Sequence, residues 1–402
     1  MSTELLFLAC VTGLLAPALA VERKPAAAQP ELLEPQRVNL PTVRLWDGDA
    51  PGAKGVADED RPRLSIVAPD AARACGTAVI VCPGGGYNVR AMDWEGLQVA
   101  RWLNSRGVSA FILSYRVRKY GYEAPDAFVD GQRAVRWLRH NAARYGIDPR
   151  RIGMIGFSAG AHLTYRVSVG YDAGSPEAAD PVERESSRPD FAFLIYCPDP
   201  GAWHSQDPGR KTVDAATPPT FIFHTAEDNL LPPKGVLDYF QTLRAAGVEA
   251  EVHVFGGYGP HGIGLGAGLP GPQQWPDLAA NWMRRNAFLT GKERVAVEGR
   301  VSIDGKFANM IRVTFVPAES DYDPIAGVCT EQNTGAFALD AKHGPVVGRH
   351  HVEVRLLCRQ FLEVPTEADT VLYTRASPDA AGPLTVDLHS GSNVVNLDIR
   401  TQ

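Results

Sequence analysis

Cysteine is sparse in this chain of 402 residues: six in all, with no Cys-x-x-Cys pair among them. Structural zinc sites and dithiol redox centres are commonly built on that pair, so neither a metal nor a redox role is expected. Positive charge is not in excess either. Lys and Arg number 40 against 46 Asp and Glu, a net charge of −6 with no long run of one sign. A surface that holds nucleic acid or an anionic bilayer concentrates cations, so neither partner is expected. Long apolar runs are missing as well. The best one, Leu5 to Leu19, is interrupted by Pro17 and falls short of the roughly 20 residues a membrane-spanning helix needs. There are no heptads and no short-period repeats.

What is present is the composition of a globular chain, 45% apolar and 21% charged, long enough for two domains. Residues 1–20 read as a signal peptide. The apolar stretch ends in Ala18-Leu19-Ala20, the small-x-small pattern of a cleavage site, although Glu4 stands where a basic residue is usual. Export to the periplasm or beyond is therefore expected. Phe7-Leu8-Ala9-Cys10 has part of a lipoprotein box, which leaves lipid attachment at Cys10 as the lesser alternative. Residues 21–42, rich in Pro, Ala and Glu, read as a solvated linker. Of the five remaining cysteines, Cys82 and Cys197 lie in apolar runs as small hydrophobes. Cys329 and Cys358 could join in one disulfide after export.

From residue 43 to 291, strand-like and helix-like stretches alternate. Ala78 to Cys82 is an apolar run broken by Pro83-Gly84-Gly85-Gly86. Trp94 to Arg106 and Ala127 to Tyr145 carry apolar residues at helical spacing, and each stops at a glycine. Further strands are expected at 108–113, 151–155, 191–196, 220–224 and 251–255, and helices at 234–246 and 275–288. Such alternation predicts a mainly parallel sheet covered by helices on both faces. Past Arg294 the period changes to two, as in Ile311-x-Val313-x-Phe315 and Val352-x-Val354-x-Leu356. Residues 292–402 are thus expected to form a small antiparallel sandwich of about seven strands.

The chemistry gathers in four places. Gly156-Phe157-Ser158-Ala159-Gly160 follows an apolar strand and opens a helix, the context of a nucleophile elbow, which makes Ser158 the candidate nucleophile. Pro83-Gly84-Gly85-Gly86-Tyr87 ends an earlier strand. Glycine lets backbone N–H groups approach a developing oxyanion, so Gly85 or Gly86 is one expected donor and Ala159 the other. The acid and base follow the serine in this order of motifs. Asp228, in His224-Thr225-Ala226-Glu227-Asp228, lies past a strand and is preferred to Glu227, with Asp199 as the reserve. His261, in Gly259-Pro260-His261-Gly262, is the expected base. His224 and His253 read as packing residues within strands, and His162 as a neighbour of the site. The His350-His351 pair lacks partners at metal spacing and reads as surface.

These stretches carry a resemblance. Together with Trp46-Asp47-Gly48, Ser114-Tyr115-Arg116-Val117, Ser187 to Phe191 and Thr217 to Phe221, they make residues 43–290 similar to exported α/β-hydrolases of the acetylxylan-esterase-like, xylanase-associated group. The resemblance implies an α/β-hydrolase fold, a Ser158–Asp228–His261 triad and no cofactor. It also implies a short-chain ester substrate such as an acetylated polysaccharide. Ala161 departs from it, standing where many relatives have a third glycine. Val297 to Val301, Asp304-Gly305-Lys306, Val313 to Pro317 and Thr334 to Phe337 resemble a carboxypeptidase-regulatory-like (transthyretin-like) sandwich, although Phe307 replaces its usual proline. Such a module implies packing or attachment and not chemistry. A serine peptidase of the same fold, and a hydrolase-like carbohydrate-binding protein without activity, are the alternative readings.

Overall fold

A computed structural model of the chain describes residues 39–200, 212–256, 259–307, 310–330, 334–356 and 371–401. The expected signal peptide, Cys10 and nearly all of the expected linker lie outside the described residues, as does Cys358. The described cysteines Cys75, Cys82, Cys197 and Cys329 carry free thiols.

The first part of the chain is built on β1 (Thr42–Arg44), β2 (Arg63–Val67), β3 (Ala78–Cys82), α1 (Gln98–Ser105), β4 (Ser109–Ser114), α2 (Ala124–His140), β5 (Ile152–Phe157) and α3 (Ala159–Gly170). It continues with β6 (Phe191–Ile195), β7 (Thr220–Thr225), α4 (Lys234–Ala245), β8 (Ala250–Phe255) and α5 (Trp275–Arg285). The eight strands form one sheet in the order β1-β2-β4-β3-β5-β6-β7-β8. β1 and β2 run antiparallel to their neighbours; from β4 to β8 all pairings are parallel. The central strands are buried on both faces, which is why they read as unbroken apolar runs. Alternation along β3 shows both layers. Ala78, Ile80 and Cys82 pack with Val135, Leu138 and Leu163 of α2 and α3. Val79 and Val81 pack with Val99, Leu103, Trp275 and Trp282 of α1 and α5.

Three boundaries differ from the sequence reading. The sheet starts inside the stretch read as linker, since Pro41 O already accepts the Ile66 N–H at 2.8 Å. The helix expected from Trp94 begins instead as a π turn, Asp93–Leu97, and becomes α-helical at Gln98. α2 starts three residues earlier than its apolar period suggests, because Pro125 suits a first turn and the Asp126 carboxylate accepts the Glu123 N–H at 2.8 Å.

The remaining described strands are β9 (Ala296–Ile303), β10 (Lys306–Phe307), β11 (Ile311–Pro317), β12 (Ala326–Cys329), β13 (Ala336–Leu339), β14 (Gly348–Leu356), β15 (Leu372–Tyr373), β16 (Thr385–Leu388), β17 (Ser392–Val394) and β18 (Leu397–Ile399). They make two five-stranded sheets around a shared core of Val297, Val301, Val313, Phe315, Phe337, Val352, Val354 and Ile399. Among the described residues there are ten strands where about seven were expected, and β17 and β18 pair with β9 in parallel. Short pieces such as β10 and β15 are too brief to show a period. By its contacts, Leu40–Gln402 is one compact unit.

Candidate active site

Ser158 sits between the end of β5 and the first turn of α3, with φ 51° and ψ −118°. Its neighbours explain the pentapeptide. A Cβ on Gly160 would lie 1.9 Å from the Cys82 carbonyl oxygen, and one on Gly156 would lie 2.0 Å from the Gly160 carbonyl oxygen. Helix and sheet thus cross at a separation only glycine permits. The Ser158 N–H is held by Ile195 O at 3.0 Å, and its hydroxyl faces the loop that follows β8.

His261 follows β8 on a glycine-rich loop, and Gly259 O accepts from Thr225 Oγ1 at 3.0 Å. Its Nε2 lies 2.8 Å from Ser158 Oγ and its Nδ1 lies 2.7 Å from Asp228 Oδ2. Asp228 lies past β7 with its side chain fully buried. Its other oxygen accepts the N–H groups of Leu230 and Leu231 at 3.0 and 2.8 Å. A buried carboxylate so bonded has its charge satisfied without a cation. With Asp228 accepting from Nδ1–H, Nε2 is the nitrogen left to accept a proton from the serine. Asp199, the reserve acid, is exposed and lies against Gly235 at the start of α4. The residue bonded to His261 is Asp228.

The loop after β3 passes over the serine: a Cβ on Gly84 would lie 2.9 Å from Ser158 Cβ. Gly85 and Gly86 have φ of 127° and 62°. Among the described residues the N–H groups of Gly85, Gly86 and Ala159 donate to no protein acceptor. The Ala159 N–H, at the start of α3, also carries the positive end of the helix dipole. The Gly84 N–H, by contrast, is committed to Glu95 Oε2 at 2.8 Å.

The other histidines are placed as follows. Buried His162 has its Nδ1 2.9 Å from the Tyr87 hydroxyl, so it braces the loop after β3. His224 is buried in β7, where desolvation pushes its pKa down, and His253 bonds Glu251 on β8. The surface reading of the His350-His351 pair is half wrong. Alternation along β14 turns His350 fully inward, 6.5 Å ring to ring from Phe315, and leaves His351 exposed. Among the described residues no group of His, Cys, Asp and Glu is arranged to hold a metal ion, and no helix is long and apolar enough to cross a membrane. Burial pushes the Cys82 thiol up to about 12, so it stays protonated.

Two buried residues beside the site were not foreseen. Tyr196, past the end of β6, stands edge-on to the His261 ring with centroids 5.1 Å apart. Its hydroxyl donates to Glu95 Oε1 at 2.7 Å. An acid inside an otherwise amphipathic helical stretch was the only hint in the sequence.

Known proteins are similar to part of this chain. The family BD-FAE matches residues 64–190. The chain is 27% identical over 280 residues to an acetylxylan esterase of Xylanibacter ruminicola, covering 62% of this chain and 54% of that one. It thus spans about half the length of that relative. It is 30% identical over 255 residues to the carboxylesterase NlhH of Mycobacterium tuberculosis, covering 56% of this chain and 74% of that one. The crystal structure of an acetyl ester-xyloside bifunctional hydrolase from Caldicellulosiruptor lactoaceticus is similar with a TM-score of 0.56 and 33% identity, over 62% of this chain and 97% of that one. With the elbow, the strand order and these relatives together, the chain belongs to the α/β-hydrolase family of esterases.

Proposed function

We propose that the protein is an exported serine esterase that removes short acyl groups, acetyl foremost, from carbohydrate such as acetylated xylan. The observation that carries the reading is the unbroken chain Ser158 Oγ, His261, Asp228, set beside three backbone N–H groups that donate to no protein acceptor among the described residues. As Ser158 Oγ attacks the ester carbonyl carbon, His261 Nε2 takes its proton and Asp228 steadies the imidazolium. Negative charge moving onto the carbonyl oxygen is met by Ala159 N–H and by that of Gly85 or Gly86. Collapse of this intermediate expels the alcohol, which leaves with the proton from His261. Water, deprotonated by the same imidazole, then attacks the acyl-enzyme and releases the carboxylic acid. The chemistry calls on no cofactor.

The acetyl and carbohydrate parts of the proposal rest on the names of the relatives and on the signal-like residues 1–20. Residues 292–402 are proposed as a carboxypeptidase-regulatory-like module with a packing or attachment role. The test is acetate release from acetylated xylan, run beside p-nitrophenyl acetate, butyrate and octanoate. Turnover falling from acetate to octanoate, with acetate released from the xylan, is the expected result. A preference for octanoate would overturn the short-acyl assignment, and silence on xylan the carbohydrate one.

A further inference from the structure

Glu95 has no place in the proton relay, yet it is the acid most deeply set against it, 3% exposed. It lies in the π turn Asp93–Leu97. Such turns are rare and gather at functional sites. Its two carboxylate oxygens go to different loops. Oε2 accepts the Gly84 N–H at 2.8 Å, one residue before the expected oxyanion donors. Oε1 accepts the Tyr196 O–H at 2.7 Å. The Tyr196 hydroxyl in turn accepts the Gly264 N–H at 3.0 Å, three residues beyond His261. Gly264 O is fixed from the other side by Trp275 Nε1–H at 3.1 Å. Among the described residues no Lys or Arg forms an ion pair with Glu95. Burying a carboxylate without a cation is costly, and desolvation raises its pKa. A leucine-sized side chain would fill the space at less cost, but could not hold two donors 2.7–2.8 Å away on opposite sides.

We propose that Glu95 is a positioning residue that holds the oxyanion loop, through Gly84, and the histidine loop, through Tyr196 and Gly264, at one fixed separation. The proposal rests on the serine-esterase reading. Gly85 and Gly86 lie on the first of these loops and the base on the second, and both must serve the same tetrahedral intermediate. Slack between them matters little to a bound, uncharged ester and much to the charged intermediate. Loss of Glu95 therefore lowers kcat and leaves KM nearly alone.

Glu95→Gln keeps the shape but sets an amide N–H2 donor against the Gly84 N–H or against the Tyr196 hydroxyl, whose oxygen already accepts the Gly264 N–H and whose proton then loses its acceptor. Tyr196→Phe removes a single oxygen and cuts only the branch to the histidine loop. Turnover of p-nitrophenyl acetate is measured per active site, with sites counted by fluorophosphonate titration. Glu95→Gln should lower kcat about 10²-fold, the cost of roughly 1 Å of misplacement, with KM within about twofold. An alkyl boronic acid, which forms a tetrahedral adduct on the serine, should lose affinity in the same proportion. The double variant should be no worse than Glu95→Gln with Tyr196 intact, since the two act in one chain. A merely structural role would lower the number of titrated sites and leave kcat per site unchanged; that result overturns the proposal, as does a loss confined to KM. Should Glu95→Gln fail to fold, Tyr196→Phe decides: an unchanged kcat and boronate affinity overturn it. If the unaltered protein neither hydrolyses esters nor reacts with the fluorophosphonate, the esterase reading itself has failed.

Discussion

At Ser158 the backbone holds a conformation that side-chain-bearing residues rarely adopt, at a cost on the order of 1–3 kcal/mol. The surroundings enforce it, through the glycine crossing on one side and the Ile195 carbonyl on the other. The hydroxyl is thereby presented to His261 without a search through rotamers of the main chain. Ser158→Ala should abolish fluorophosphonate labelling and lower ester turnover by about 10⁶-fold, which gel-based labelling and p-nitrophenyl acetate kinetics check directly. The acid is equally open to test. Asp228→Asn should cost up to about 10⁴-fold in kcat by favouring the wrong imidazole tautomer. Asp199→Asn, at an exposed site against Gly235 at the start of α4, should stay within about twofold. The reverse ranking would move the acid to Asp199. That Ser158, Asp228 and His261 come together was legible in the sequence because each follows a strand and stands among glycines or turn residues. Glu95 and Tyr196 were not, since their roles exist only once residues 101 positions apart are brought into contact.

Among the elements, the sequence marked strands better than helix starts. A buried parallel strand such as Ala78–Cys82 has apolar residues on both faces, so the run itself delimits it. Helix starts depend on side chains that bond the first turn and on local departures such as the π turn, neither of which disturbs the apolar period. One contact between elements was hidden for another reason. Arg116, just past β4, and Asp130, on α2, form an ion pair with both side chains fully buried, Nη2 to Oδ1 2.7 Å. Asp130 also accepts the Arg116 backbone N–H at 2.8 Å, and Arg116 reaches Pro51 O at 2.7 Å. Charged residues in a sequence read as solvent-facing, but this pair ties the end of a central strand to the helix that covers it. Asp130→Ala leaves a buried guanidinium unpaired and should destabilise the fold by about 3–5 kcal/mol. Replacing both residues by apolar ones should recover most of that loss, because the cost lies in the stranded charge. Urea unfolding of the three proteins separates the outcomes; equal losses in single and double variants would mean that the pair itself supplies the stability.

On the scale of the molecule, the question is which end of the central sheet the carboxy-terminal strands touch. Tyr322 donates to Ser105 O at 2.8 Å and bonds Arg73, and Arg284 donates to Asp321 O at 2.9 Å. Lys292 pairs with buried Asp323 at 3.0 Å. Ser105 precedes β4, Arg73 precedes β3 and Arg284 closes α5, so all three lie at the amino-terminal ends of the parallel strands. Ser158, Gly85 and Asp228 follow the carboxy-terminal ends of β5, β3 and β7. A strand of five residues separates the two edges by about 16 Å. Among the described residues, these contacts of the sandwich therefore lie at the edge of the sheet opposite the relay and are expected to act on stability. A truncation after Lys292 should hydrolyse p-nitrophenyl acetate with kcat/KM within about twofold of the full chain. It should melt roughly 5–10 °C lower, as expected for the loss of 2–3 kcal/mol of contacts in a unit of this size. Tyr322→Ala in the full chain should reproduce part of the melting shift and none of any kinetic change. A folded truncation without esterase activity would show instead that the sandwich completes the active site from across the sheet.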